Sequence, residues 1–296
     1  MDAIEIVYGT LFILQIVFGV SGNMVLLLVY THVVSTRHQL NPPELLLAHL
    51  ALANTMALLS RGIPDILSAW GLRNFLDDVG CKILLYLYRV ARGFAIFTVC
   101  LLSIFQAVTI SSSTSRWTEV KTQSPKYIVP SCLFSWVLNL LIDMTAPMMV
   151  TGTGNSTSMN RVNLLKYCSS ISVSAVTTLV NAVVLSLRDM FFVGLMSVAS
   201  GYIVFVLHRH HRQVRHLHGP SRSTRTMPEV QAAKRVTGLV ILYVLLYGRV
   251  TITLSLLFNM NKISPLILSS NNIMSFTFSA VSPFLLILSD RRLRMF

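Results

Sequence analysis

Apolar residues in this chain run in long stretches, without the strict alternation of a half-buried strand or the narrow stripe of a surface helix. The stretches from Ile4 to Tyr30 and from Tyr127 to Val150 are nearly uninterrupted. Each exceeds the ~18 residues that, at ~1.5 Å rise per residue, cross a ~30 Å hydrocarbon core. Similar stretches run from about Leu45 to Ala69 and from about Ile83 to Ser111, both with internal arginines. A fifth is placed from Arg188 to His208, although the apolar run from Ile171 could extend it by several turns. A sixth covers about Ala232 to Phe258, and a seventh covers Pro265 to Leu288 after a polar start at Ser269, Ser270, Asn271 and Asn272. Seven is the preferred count and six the alternative. The pattern predicts an all-α fold, a seven-transmembrane helix bundle forming a single domain over residues 1–296.

Composition sharpens this reading. The chain is 53% hydrophobic and only 12% charged, with a mean hydropathy of +0.66, which excludes an ordinary water-soluble domain. A net charge of +13 would ordinarily raise nucleic acid as a partner. The distribution of that charge argues for a lipid bilayer as partner and against nucleic acid. Arg116, Lys121 and Lys126, the run from Arg209 to Arg235, and Arg291, Arg292 and Arg294 all fall on one side of the predicted spans. The other side holds Arg73, Lys82, Arg161, Lys166 and Lys262. The positive-inside rule then predicts the N-terminus outside and the C-terminus inside, with the first helix as its own insertion signal.

Cys100 and Cys132 lie within predicted spans, whereas Cys81 and Cys168 lie on the outer side, in an oxidising space. The expected pairing is a Cys81–Cys168 disulfide, the alternative being two free thiols. The sequon at Asn155 also falls outside, where it is expected to be glycosylated. Inside the membrane a polar group needs an internal partner, because lipid offers none. Asn23, Asn54 and Ser282 are expected to form an interhelical polar cluster, with Pro283 freeing a backbone carbonyl to join it; independent helix glue is the alternative.

Several stretches carry a family resemblance. They include Gly19-Val20-Ser21-Gly22-Asn23, Asn41-Pro42-Pro43-Glu44-Leu45, Ala48-His49-Leu50-Ala51-Leu52-Ala53-Asn54, Gly80-Cys81-Lys82 and Tyr86-Leu87-Tyr88-Arg89-Val90-Ala91-Arg92-Gly93. Phe105-Gln106-Ala107-Val108-Thr109-Ile110-Ser111, Leu207-His208-Arg209-His210 and Ser282-Pro283-Phe284 complete the set. Over essentially the whole chain the sequence resembles a rhodopsin-like G-protein-coupled receptor, and within that group a vomeronasal type 1 receptor. The resemblance implies pheromone-type ligands, expression in sensory neurons and an inhibitory-class heterotrimeric G protein as partner. Phe105-Gln106-Ala107 stands where most rhodopsin-like receptors carry an acid-arginine-tyrosine triplet, so activation is not expected to rest on breaking the usual ionic latch. Where related sequences tend to have Tyr-Trp-x-Asp in span six, this chain has Tyr247-Gly248-Arg249-Val250.

Charges within the spans mark the candidate chemistry. Arg89 and Arg92 share a face of span three, and Arg61 and Asp65 are spaced to pair on span two. A charge at the bilayer centre costs ~2.5–3.5 kcal/mol on insertion scales, so these groups should face the bundle. Counting down from Cys81 puts Arg89 ~12 Å and Arg92 ~16 Å below the outer end. Asp65, Tyr88, Arg89, Arg92, Asp189 and Arg249 are therefore expected to line a site for a small-molecule chemosignal; the alternative is that the arginines only pair with Asp65 and Asp189 to hold helices together. At the inner end Gln106, Arg116, Arg209, Arg212 and Arg215 are expected to face the G protein, and the basic run to meet anionic headgroups. The histidines of that run lack a companion carboxylate or cysteine, so no metal site is read there, and no cofactor is called for. Pro283, Gly93, Gly201 and Gly248 are expected points of give.

The function this predicts is a multi-pass plasma-membrane receptor that binds a small ligand in the outer half of the bundle and signals to a G protein, without enzymatic activity. A seven-span transporter and a non-signalling receptor relative are the alternatives. A retinal protein would need a lysine within span seven, which has none, and neither G-x-S-x-G nor H-E-x-x-H occurs.

Overall fold

Helix starts in this chain are written by short polar devices. Asn41 precedes Pro42 and Pro43, whose fixed φ suits a first helical turn, and its backbone N–H donates to the Glu44 carboxylate at 3.0 Å. Asp77 accepts the Gly80 N–H at 2.8 Å and opens the third helix in the same way. The computed structural model describes residues 3–37, 41–72, 75–111, 115–152, 161–162, 167–171, 175–217, 228–259 and 265–289. Within them lie α1 (Ala3–Arg37), α2 (Pro42–Ala69), α3 (Asp78–Ile110), α4 (Ser115–Ile142), α5 (Ala175–Leu217), α6 (Pro228–Asn259) and α7 (Pro265–Ser289). Five helices are long and apolar enough to cross a membrane, over Gly9–Thr36, Pro42–Ser68, Asp78–Ile110, Lys126–Met148 and Leu179–Arg209; Ile273–Leu288 of α7 is a shorter apolar stretch among the described residues.

At two places that bear on the site the elements differ from the spans the sequence predicts. The fourth helix loses its α geometry at Ile142 and continues as a 3₁₀ segment, Asp143–Met149, that contains Pro147. The fifth begins at Ala175, roughly three and a half turns before Arg188. Arg188 does not mark the edge of an apolar span, because its charge is neutralised inside the bundle, as described below. The helical bundle also carries a small sheet between α4 and α5. Strands β1 (Val150–Gly152), β2 (Arg161–Val162) and β3 (Cys168–Ile171) pair antiparallel in the order β1-β3-β2. This sheet sits on the N-terminal end of α3. Gly152 N–H donates to Asp78 at 3.2 Å, and Cys168 is joined to Cys81 by a disulfide.

α3 is the central element. Its buried residues extend from Cys81 to Gln106, and it packs against α2, α4, α5 and α6. Phe94 is fully buried and stacks on Trp136 of α4 with ring centroids 4.3 Å apart. Phe97 meets Phe192 of α5 edge-on at 5.2 Å. On the periphery, Leu133, Phe134 and Leu141 of α4 and Phe191, Val198 and Phe205 of α5 are exposed, as lipid-facing side chains are. Lipid tails are as apolar as these residues, so close packing and internal polar contacts must hold the helices together. Gly19 illustrates the packing: a Cβ there would lie 2.9 Å from the Ala280 backbone of α7.

Candidate functional site

Near the disulfide end, four charged side chains from three elements form one network. Arg92 of α3 ion-pairs Asp189 of α5 at 2.8 Å. Arg188, the neighbour of Asp189, reaches Asp189 at 3.0 Å and Asp143 of the 3₁₀ segment at 2.9 Å. Arg188 also donates to the Asn139 side chain of α4 at 3.3 Å. Asp143 is completely buried and Arg188 and Asp189 nearly so. Two arginines against two aspartates leave this network neutral, which is how charge is tolerated at such depth. Gly93 permits it: a Cβ at that position would fall 2.1 Å from Asn139 Oδ1 and 2.9 Å from Arg188 Nη1. Gly93 is thus a site of close approach, where the sequence suggested a point of give.

Arg92 differs from its partners. It lies ~16 Å below Cys81 by helix rise, yet 43% of its side chain is accessible. Arg89, one turn above, is half-buried, and its Nη1 is buried with no hydrogen-bond partner among the described residues. An accessible guanidinium held by Asp189 and a second one with an unused donor therefore share one stretch of α3. The accessible part of Arg92 can meet a ligand's acceptor group without leaving an aspartate unpaired, because Asp189 keeps Arg188.

The sequence-predicted ligand residues fall into two sets, which adjoin at Tyr88 and Arg92, four residues apart on one face of α3. Arg92 and Asp189 belong to the α3–α5 network. Asp65 and Tyr88 lie on the α1–α2–α7 side, where Asp65 pairs with Arg61 at 3.6 Å and Arg61 sits over the Tyr88 ring at 4.9 Å. Tyr88 is buried there with Phe12, Ile16, Leu58 and Phe276. Arg249 is exposed on α6. Arg188, Asp143 and Asn139 are the participants that sequence reasoning missed. Opposite charges near the ends of neighbouring spans were the available signal for Arg188 and Asp143.

Deeper in the bundle, Asn23, Asn54 and Ser282 come together, each 1% exposed or less. Asn54 donates to Ser282 Oγ at 3.0 Å and approaches Asn23 Oδ1 at 3.5 Å. Asn23 donates to the Gly19 carbonyl at 2.7 Å and to the Ser279 carbonyl at 2.9 Å. At the far end of α3, Gln106 is 4% exposed. Ser111, which closes that helix, shares a 2.7 Å hydrogen bond with Tyr202 of α5. Arg209 and Arg212 are exposed on α5. The side chains of Arg116 and Arg215 lie outside the described residues, as does the whole of Asn155. The free cysteines Cys100 and Cys132 are buried.

The sequence matches the model of the vomeronasal organ pheromone receptor family over residues 6–296. It is 40% identical to human vomeronasal type-1 receptor 3 over 81% of this chain and 78% of that one. With human vomeronasal type-1 receptor 4 the identity is 37%, covering 93% of this chain and 92% of the relative. A zebrafish (Danio rerio) protein, olfactory receptor class A-like protein 1, is 34% identical over 99% of this chain and 92% of its own length. With a helical bundle, membrane-length apolar helices, the Cys81–Cys168 disulfide and matches of this extent, the chain belongs to the vomeronasal organ pheromone receptor family.

Proposed function

We propose that this protein is a plasma-membrane chemosensory receptor that binds a small molecule between α3, α5 and α6 and signals to a heterotrimeric G protein of the inhibitory class. The observation that carries the ligand site is Arg92: an arginine deep between helices, accessible over 43% of its side chain and anchored by Asp189. Arg89 is the neighbouring donor for a ligand acceptor, and Asp65, Tyr88 and Arg249 shape the surroundings. The disulfide supports placing the N-terminus of α3 outside, because such a bond persists on the oxidising side. α1 starts at that same end, so the N-terminus is outside and the exposed Arg209 and Arg212 are inside. Gln106, Arg116, Arg209, Arg212 and Arg215 then frame the inner cleft for the G protein, and Asn155 lies where glycosylation takes place.

A ligand activates such a receptor only through its differential affinity for the active arrangement, and no bond in it is made or broken by the chain. The test is a cell-based screen of volatile and steroid-like compounds with a promiscuous G-protein reporter, run beside a surface-expression assay. Agonist-dependent signalling supports the reading. Normal surface delivery without a response to any compound, together with measured solute flux, overturns it in favour of a transporter.

A further inference from the structure

α5 is joined to α3 by polar contacts at two levels. The outer one is the ion pair of Asp189 with Arg92. The inner one is the 2.7 Å hydrogen bond between Tyr202 and Ser111, the residue that caps the end of α3. Asp189 and Tyr202 are separated by about 20 Å of helix. α3 ends at Ile110, whereas α5 continues past Tyr202 to Leu217. A helix attached at one level is free to change its inclination, and a second attachment removes that freedom until one of the two gives. The outer contact is charged and backed by Arg188 and Asp143. The inner one is a neutral hydroxyl pair, and neutral hydrogen bonds are the weaker kind. No ion pair can reinforce it from α3, which carries no charged residue after Arg92. Met196 and Ile203 of α5 are fully buried, but lipid tails solvate such side chains as well as a neighbouring helix does, so the polar bond decides.

We propose that the Ser111–Tyr202 hydrogen bond is an inner latch that fixes the inclination of α5, and that its opening releases the inner extension of α5 with the exposed Arg209 and Arg212. One hydrogen bond between helices in lipid shifts an equilibrium by about three- to tenfold. The latch therefore biases two arrangements without locking either, so a ligand with a modest preference for one of them can reset the balance. Ser111 is buried, but Tyr202 is 40% exposed at the edge of the bundle. At the membrane surface, where tyrosines find polar partners, the Tyr202 hydroxyl is not stranded when it leaves Ser111.

The consequence for signalling rests on the receptor reading above, but the latch does not, so it is tested first without agonist or G protein. Spin labels are attached to the full-length receptor in lipid nanodiscs at Thr36→Cys, exposed at the inner end of α1, and at Arg212→Cys on α5. The native free cysteines are buried and stay in place. Distance distributions from double electron–electron resonance compare this parent with Tyr202→Phe, which removes only the hydroxyl, with Ser111→Ala and with the double variant. Ser197→Ala is the control, because the Ser197 hydroxyl bonds within α5 to the Val193 carbonyl at 2.7 Å. The ratio of released to held distances should rise by about three- to tenfold in each single variant and no further in the double, with the control unchanged. Unchanged distributions in either single variant overturn the latch, as do additive shifts in the double variant or an equal shift in the control. Reporter signalling without agonist is then read for the same variants. A change that follows the distances supports an action on the G protein, whereas shifted distances with unchanged signalling uphold the latch and overturn the placement of Arg209 and Arg212 at the G protein.

Discussion

Asn23 donates to the Ser279 carbonyl across the α1–α7 interface at 2.9 Å, and Ser279 is the residue whose carbonyl Pro283 cannot bond from one turn further along the same helix. The proline creates an orphan acceptor in a setting without water, and α1 supplies its donor. Asn23→Leu should therefore lower the thermal stability of the detergent-solubilised receptor by about 1–3 kcal/mol, the cost of a stranded buried group. Pro283→Ala restores a backbone donor to α7 and should recover part of that loss. Additive losses in the double variant would show that the two residues are not linked in this way.

The pairing of Arg188 with Asp143 leads to a second expectation. Asp143 is fully buried, so Arg188→Ala leaves a charge without its partner and should cost about 3–5 kcal/mol, enough to prevent surface delivery. Arg188→Met combined with Asp143→Leu removes both charges and should restore delivery toward the parent level. Flow cytometry of an epitope-tagged receptor reads the outcome, and a double variant no better delivered than the single one would contradict the pairing.

Arg89 and Arg92 should separate folding from ligand response. Arg89→Ala strands no carboxylate and is expected to reach the surface normally while shifting an agonist's half-maximal concentration upward by about tenfold or more. Arg92→Ala also frees Asp189, which keeps Arg188 as a partner, so delivery should fall only partly. Dose-response curves normalised to surface receptor are the measurement. Unchanged curves for both variants would remove these arginines from the ligand site.

Gly93→Ala drives a methyl group into Asn139 and Arg188 and should destabilise by about 1–3 kcal/mol. Gly201→Ala has nothing within 4 Å and should be neutral or slightly stabilising through helix propensity. Thermal unfolding of the two purified variants side by side distinguishes packing at Gly93 from a general intolerance of alanine in helices.

The apolar runs make the helices readable because crossing a bilayer demands length and low charge, which are properties of consecutive residues. The disulfide is equally local, since a cysteine needs only the right side of the membrane. What escapes the sequence is partner choice at a distance. Arg188 looks like a boundary until Asp143, on a different element, is brought against it. Tyr88 and Arg89 are adjacent in the chain, yet Tyr88 is packed against Phe276 while Arg89 Nη1 has no hydrogen-bond partner among the described residues, because the helical turn aims neighbours in different directions.

α5 is 43 residues long, about 65 Å of helix against a hydrocarbon core of about 30 Å, so it is a lever as well as a span. Its fulcrum is the pair of charges at Arg188 and Asp189, pinned to α3 and to the segment after α4. A rotation of about 5° there carries Leu217, about 42 Å further along the helix, by nearly 4 Å. Any tilt of α5 about that pinned point is thus multiplied along the far arm, and the exposed Arg209 and Arg212 lie on the part of the helix that would move most.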